Sequence, residues 1–131
     1  MFTINLWDAP VFVYEDVHKY HEPIKGNMAH GLMLQGVVVE SPIAEHRHPE
    51  SEQIYYVRSG RGIVTIDGEE KKVEKDTVIF VPSGCTHGMR PLPGEEPFSY
   101  VCVTHYLQEP CNHMPAPVAQ AQVRYQPDQD S

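Results

Sequence analysis

The stretch from residue 46 to residue 60 reads HRHPESEQIYYVRSG, and it decides the fold. It opens with His46 and His48 and continues into the β-branched and aromatic run 54–57, which ends before a turn at Gly60. Residues two apart on a strand point to the same side, so both imidazoles can be directed at one point inside a barrel. The stretch therefore predicts a β-strand beside a pair of metal ligands.

A second element, PSGCTH at residues 82–87, ends an apolar run in a proline and glycine turn that delivers His87. By chance, this composition is expected to give a His-x-His pair roughly 0.5 times, but the second element only roughly 0.05 times. Between the two elements lies Asp67-Gly68, a strong hairpin signal that can return the chain across a barrel. The conjunction predicts that His46, His48 and His87 bind one metal ion.

Short β-prone runs fill most of the remaining sequence. They are separated by twelve prolines and nine glycines, and no ten-residue segment shows a helical period. The runs that carry this prediction are 10–14, 32–39, 54–57, 63–66, 77–81 and 98–107, and a further strand is expected to begin near Lys71. Seven or more short strands indicate an all-β jelly roll.

The chain divides into three segments. Residues 28–108 form the predicted barrel, residues 1–27 an N-terminal arm packed outside it, and residues 109–131 a Pro/Gln-rich tail that is extended or disordered. Because the edge strands of a small jelly roll need cover, we expect a two-fold homodimer in which residues 1–15, with Trp7, Phe12 and Tyr14, lie across the partner.

Charge and cysteine content exclude several classes of protein. The formal net charge is -8, which repels nucleic acid, and no apolar stretch approaches the ~20 residues that a membrane helix needs. The N-terminus shows no secretion signal, and three widely spaced cysteines, Cys85, Cys102 and Cys111, are typical of reduced thiols. We expect a soluble cytoplasmic protein that binds a small molecule, with neither nucleic acid nor membrane as a partner.

The two histidine elements resemble the cupin superfamily, here a small single-domain cupin. Its first motif runs G-x5-H-x-H-x3,4-E-x6-G and the second runs G-x5-P-x-G-x2-H-x3-N; residues 46–60 and 82–87 match their centres. The sequence departs at Glu40, Asp76 and Pro91, where the family has glycine, glycine and asparagine. The resemblance covers residues 31–107 and implies a double-stranded β-helix with one divalent metal ion in its mouth.

The fourth ligand has two candidates, because Glu52 and Gln53 are adjacent and only one can face inward. Gln53 lies six residues before Gly60, as the family's ligand does, so spacing favours Gln53. Three imidazoles and a neutral amide suit iron, manganese, zinc, nickel or copper, and would leave the ion its full +2 charge. Open positions on the ion would take a bidentate oxygen ligand such as a diol, diketone or hydroxy acid.

The pocket around the metal is less well defined by sequence. Its candidate residues are Tyr55, Arg90, His30, Cys102, Thr104 and His105, and either face of the last strand could line it. We expect a metal-dependent enzyme that acts on a polar oxygen-rich molecule. Among reaction classes, a dioxygenase is favoured first and an isomerase or lyase second. A non-catalytic ligand-binding or sensing module is the competing hypothesis.

Overall fold

A computed structural model describes residues 3–14, 18–22 and 32–107. These residues form a 3-10 helix at Leu6–Asp8 and ten strands. The strands are β1 (Val11–Tyr14), β2 (His18–His21), β3 (Leu32–Val39), β4 (Ile43–His46), β5 (Ser51–Ser59), β6 (Arg61–Ile66), β7 (Glu69–Glu74), β8 (Val78–Val81), β9 (His87–Pro91) and β10 (Phe98–Tyr106).

The strands pair into two antiparallel sheets. The large sheet has the order β1-β2-β3-β10-β5-β8, and the small sheet has the order β4-β9-β6-β7. The chain crosses repeatedly between them, which is the jelly-roll arrangement. The expected all-β jelly roll is confirmed. The described residues contain no helix long and apolar enough to cross a membrane.

The core lies between the two sheets, and strand alternation explains how it forms. Along β5 the residues alternate between buried and more exposed, with Gln53, Tyr55 and Val57 on the inner face. The large sheet contributes Val37, Tyr100 and Cys102 in the same way, and the small sheet contributes Val64 and Met89. Period-two patterning therefore decides which side chains can reach an internal site.

Two turns show how local sequence fixes the topology. Asp67 and Gly68 have φ of 47° and 83°, the left-handed pair that a tight hairpin between β6 and β7 requires. Asp76, which stands where the family motif has glycine, has φ of 71°. Aspartate tolerates this region better than most residues, so the departure preserves the turn.

The segment predicted as an arm contributes β1 and β2 to the large sheet, where β2 pairs with β3. Trp7 lies against Gly36 of β3, its ring edge-on to His21 at 5.2 Å, with the Arg58 guanidinium 3.8 Å above the ring. Trp7 is therefore packed on its own chain. The side chains of Phe12 and Tyr14, and the predicted tail 109–131, lie outside what the structure describes.

Candidate metal centre

Three histidines from neighbouring strands converge at one end of the barrel. His46 ends β4 and pairs directly across the ladder with His87, which begins β9, while His48 lies in the turn that follows β4. The ring centroids are 4.3 Å apart for His46 and His87, 4.7 Å for His46 and His48, and 5.3 Å for His48 and His87. One ligand atom from each of the three lies within 4.8 Å of the other two.

The backbone fixes which ring nitrogens face the centre. Nδ1 of His46 donates to the Ala44 carbonyl at 2.8 Å, and Nδ1 of His87 donates to the Cys85 carbonyl at 3.0 Å. In each ring Nε2 therefore carries the lone pair. Nε2 of His87 is buried and has no hydrogen-bond partner among the described residues. A buried nitrogen in this state destabilises the folded protein unless another group binds to it. A divalent metal fits this requirement, and the carbonyls orient the rings as ligand supports do.

Burial keeps the imidazoles of His48 and His87 neutral. Desolvation, followed by the neighbouring His46 and His87, lowers the pKa of His48 to about 3. Desolvation also lowers the pKa of His87 to about 4, with the Cys85 carbonyl acting in the opposite direction and His46 adding to the decrease. Neutral imidazole is the form that binds metal, so these two ligands are available at neutral pH without losing a proton.

The loop before His87 is held by the hairpin. The Asp67 carboxylate accepts hydrogen bonds from the Thr86 backbone N–H at 2.9 Å and from its hydroxyl at 3.2 Å. After His87, a Cβ at Gly88 would lie 2.7 Å from the Ile43 carbonyl oxygen, so glycine permits the close approach of β4 to β9. Both features place the His87 side chain beside that of His46.

Gln53 lies on the inner face of β5 and belongs to a buried polar network. Its Oε1 accepts from the Tyr55 hydroxyl at 2.7 Å. Its Nε2 donates to the Thr104 hydroxyl at 3.0 Å and to the Cys102 sulfur at 3.4 Å. These contacts fix the amide with its carbonyl oxygen beside Tyr55, leaving that oxygen a second lone pair for an ion.

Glu52 faces the other side of the strand. Its side chain is 37% exposed, and its carboxylate lies 3.1 Å from Nδ1 of His105 on β10. Of the two candidate ligands, Gln53 therefore shares the cavity with the histidines, as strand alternation requires. Its role as the fourth ligand stays a prediction.

The cavity in front of the histidines is small, about 30 Å³, which is room for one or two water-sized groups. It is lined from the large sheet by Tyr20, Gln35, Gln53, Tyr55, Tyr100 and Cys102, and from the small sheet by Ile43, His46, His48, His87, Gly88 and Met89. None of these described residues is a carboxylate, a lysine or an arginine. An ion bound there would be the dominant charge.

Three other titratable residues that line the cavity are proton donors. Burial, followed by the field of Cys102 or Tyr20, raises the pKa of Tyr55 and of Tyr100 well above the usual value. Burial likewise raises the pKa of the Cys102 thiol to about 12. All three are therefore protonated and neutral at physiological pH, so none of them serves as a general base.

Two of the predicted pocket residues lie elsewhere. Arg90 is three positions after His87, so it faces outward from β9, where it pairs with Glu70 at 2.9 Å. His105 is on the outer face of β10, opposite in parity to the buried Cys102 and Thr104. The prediction was wrong for Arg90, because its odd spacing from His87 reverses the face of the strand. Of the two alternative faces of β10, the one with Cys102 and Thr104 is buried and the one with His105 is turned outward. His30 lies outside the described residues.

Sequence reasoning missed two wall residues and left a third open. Tyr20 comes from β2, whose segment shows no clear alternation in the sequence. Gln35 is the single polar residue in the apolar run 32–39, and its Nε2 donates to the buried Glu22 carboxylate at 3.5 Å. A polar residue in an otherwise apolar run was the available signal for Gln35. The inner face of β10, with Tyr100, was one of two alternatives.

The lowered pKa values predict how stability of the metal-free protein depends on pH. His48 and His87 are neutral in the folded state down to about pH 4, whereas in the unfolded state they take up protons near pH 6.5. The stabilisation that these two neutral histidines contribute is present above pH 6.5. It is lost as the pH falls toward 4, because the unfolded state then binds more protons than the folded state. We expect the free energy of unfolding of chelator-treated protein to decrease from pH 7.5 to 5.

Urea unfolding at both pH values measures this decrease. In His48→Gln, where one titrating group is removed, the decrease should be clearly smaller. Equal pH dependence in the wild type and in His48→Gln would contradict the assignment of His48 as a buried neutral imidazole.

Comparison with known proteins assigns the chain to a family that agrees with its fold. The family model described as Cupin domain matches residues 34–104. An uncharacterised protein of Methanocaldococcus jannaschii is 31% identical over 85 residues, 65% of this chain and 64% of that protein. The polyketide synthase protein CurC of Streptomyces cyaneus is 32% identical over 84 residues, 62% of this chain and 53% of CurC. The chain thus spans less than two thirds of these relatives.

Solved structures share the fold at low sequence identity. A predicted oxalate decarboxylase from Thermotoga maritima has a TM-score of 0.70 at 16% identity, covering 81% of this chain and 100% of that chain. KdgF from Halomonas sp. has a TM-score of 0.68 at 20% identity, covering 82% and 94%. A Streptomyces nucleoside dehydratase, Pac13, has a TM-score of 0.66 at 17% identity, covering 81% and 82%.

Proposed function

Since the chain belongs to the cupin family, we propose that it holds one divalent metal ion with His46, His48, His87 and Gln53 and uses it to act on a small oxygen-rich molecule. The observation that carries this proposal is the convergence of three imidazoles on one point, where the buried Nε2 of His87 has no hydrogen-bond partner within the described part of the chain. The ion would supply Lewis acidity and, if it is iron, redox chemistry toward dioxygen.

Charge balance favours an anionic substrate. The Gln53 amide and the imidazoles of His48 and His87 are neutral, and no described residue that lines the cavity is a carboxylate. A divalent charge in such a cavity is stabilised by an incoming anion, because buried charges need a partner. A chelating anion such as the enolate of a 1,3-diketone or a hydroxy acid meets this requirement.

The relatives support this substrate class. CurC and the Streptomyces glaucescens protein TcmJ, which is 38% identical over 45 residues (34% of this chain and 30% of TcmJ), are both described as polyketide synthase proteins. Polyketide chains are rich in 1,3-dicarbonyl groups. We therefore favour a 1,3-dicarbonyl compound or a phenol derived from one.

The cavity wall favours oxygenation over isomerisation or elimination. Isomerases and lyases need a group that removes a proton, whereas Tyr55, Tyr100 and Cys102 all hold theirs. The Gln35 amide can instead orient a bound oxygen atom, and the apolar walls from Ile43 and Met89 exclude water. Dioxygenase is thus the first assignment, with isomerase or lyase second.

A non-catalytic binding module is the second candidate, favoured by one observation. The cavity volume of about 30 Å³ admits little beyond the ion and one or two ligand atoms. A substrate with more atoms than this could enter only if the cavity wall moved. A protein that stores or senses the metal ion with a small ligand would need no such movement. We also retain the prediction of a cytoplasmic location, which is supported by the free thiols of Cys85 and Cys102.

Oxygen uptake tests the proposed reaction. Chelator-treated protein is loaded with Fe(II), Mn(II), Zn(II) or Ni(II), and 2,4-pentanedione serves as the probe substrate. We expect uptake with the iron form and at least a 100-fold lower rate in His48→Ala, while the exposed His105→Ala retains the wild-type rate.

Other outcomes separate the alternatives. Conversion of the probe without oxygen uptake would favour the isomerase or lyase assignment. Tight binding of the probe without turnover by any metal form would favour the binding module. Absence of metal binding would overturn the whole proposal.

A further inference from the structure

A buried carboxyl group lies directly behind the wall of the cavity. Glu22 follows β2 and is 1% exposed, and its Oε2 lies 3.5 Å from Nε2 of Gln35 on β3. The backbone N–H of Glu22 donates to the carbonyl of Pro10, the residue before β1, at 3.0 Å. Gln35 lines the cavity and Glu22 does not. An effect of Glu22 on a bound ligand would therefore be exerted through Gln35.

The register of the large sheet brings these two side chains together. β2 pairs with β3 as far as His21 and Gly36, so the next residue along, Glu22, continues this register opposite Gln35. On its other side Gln35 pairs with Cys102 of β10. Both Glu22 and Gln35 are more than nine-tenths buried, where amide and carboxyl groups need partners. Their contact supplies one for each.

This contact decides which end of the Gln35 amide faces the cavity. A carboxylate oxygen accepts hydrogen bonds and does not donate them, so it pairs with the amide nitrogen and not with the amide oxygen. Since Nε2 is directed at Glu22, Oε1 is the amide atom that remains for a group in the cavity.

An amide oxygen differs from the hydroxyl groups on the same wall. The hydroxyls of Tyr55 and Tyr100 can donate or accept, so they adapt to either kind of ligand atom. Oε1 of Gln35 can only accept, so it favours a ligand atom that carries a proton. A site that pairs with a substrate O–H rejects the analogue that lacks it more strongly than an apolar site rejects an added group.

The size of the cavity brings a ligand within reach of Gln35. The cavity is about 30 Å³, and Gln35 and all three histidines of the cluster line it. A ligand held at the histidines therefore fills the space in front of the Gln35 amide.

We propose that Glu22 is a positioning residue that holds the Gln35 carbonyl oxygen toward the cavity, and that Gln35 thereby selects ligands with a free hydroxyl group. This inference rests on the proposed function, in which an oxygen-rich anion binds at the histidine cluster, and it narrows the substrate class. A hydroxy acid, or a phenol that keeps a second hydroxyl, offers the required O–H. The enolate of a 1,3-diketone does not.

Ligand binding to the Co(II)-loaded full chain tests the proposal, with glycolate and methoxyacetate as matched probes. Both are monoanions that can chelate through a carboxylate and an adjacent oxygen, but only glycolate carries a hydroxyl proton. Titration followed by the visible absorption of Co(II) gives both dissociation constants. We expect wild type to bind glycolate more tightly than methoxyacetate, on the order of 10-fold or more.

Two substitutions separate the hydrogen bond from the bulk of the methyl group. Glu22→Gln supplies an amide that can pair with either end of the Gln35 amide, so the preference for glycolate should fall to less than about 3-fold. Gln35→Met keeps the length and removes the acceptor, so it should have the same effect, and it replaces Glu22→Gln should that variant fail to fold. Glu52→Gln, on the outer face of β5, is the control and should keep the wild-type preference.

The ratio of the two dissociation constants distinguishes this role from a structural one. A side chain that only stabilised the fold would change both constants alike, and a steric preference would survive in both cavity variants. Equal binding of the two acids, no response to either acid by the Co(II) form, or a preference that both variants keep would overturn the inference and leave the metal site standing. A preference kept in Glu22→Gln alone would overturn the role of Glu22. Failure to bind Co(II) would overturn the proposed function itself, and this inference with it.

Discussion

Replacing His87 with alanine is expected to reduce bound metal from about one ion per chain to nearly none. Nε2 of His87 is buried without a hydrogen-bond partner among the described residues, and its ring centroid lies 4.3 Å from that of His46 and 5.3 Å from that of His48. Metal at about 100 times its dissociation constant stabilises the folded state by about 2.7 kcal/mol, or about 10 °C for a domain of this size. His87→Ala should lose this metal-dependent increase in melting temperature.

The control is a histidine of the same chain outside the cavity. His105→Ala removes an exposed imidazole that contacts Glu52, and it should keep both the metal and the stabilisation. Comparing each variant with and without chelator removes the effect of the substitution on packing. Unchanged metal content in His87→Ala would show that the histidine cluster is structural.

Changing Gln53 is expected to alter both metal affinity and fold stability. Gln53→Glu adds an anionic ligand, so it should tighten metal binding on the order of 10-fold or more, raise the pKa of bound water and weaken Lewis acidity. Gln53→Ala removes the partner of the Tyr55 and Thr104 hydroxyls. Each buried group left without a partner costs about 1–3 kcal/mol, which urea unfolding of chelator-treated protein measures.

Glu52→Gln is the matched change on the opposite face. Glu52 lies on the outer side of β5 with His105, so metal titration should give the wild-type affinity. If Glu52→Gln loosened the metal while Gln53→Ala left it bound, the strand would be out of register by one residue. Every inner-face assignment through Val57 would then be reversed.

Strand alternation explains which parts of the fold could be predicted from sequence. The parity of β5 follows from the apolar run 54–57, so the burial of Gln53, Tyr55 and Val57 could be predicted from the sequence alone. The hairpin at Asp67-Gly68 could be derived from turn chemistry, because both positions need positive φ.

Other features depend on contacts between distant strands, which local patterns do not encode. Which face of β10 lines the cavity depends on its pairing with β3 and β5, and both of its faces carry apolar residues. Tyr20 enters the cavity through β2, whose charged sequence HKYH lacks a strand pattern and is stabilised by its pairing with β3. Arg90 is close to His87 in sequence, but strand parity turns its side chain to the opposite, exposed face of β9.

Crystallisation of the chelator-treated chain with one equivalent of Co(II), followed by anomalous diffraction at the cobalt edge, tests the metal centre most directly. The predicted result is a single anomalous peak per chain, at about 2.0–2.3 Å from Nε2 of each of His46, His48 and His87. A peak at other residues, or no peak in the cavity at full occupancy of added metal, would contradict the assignment.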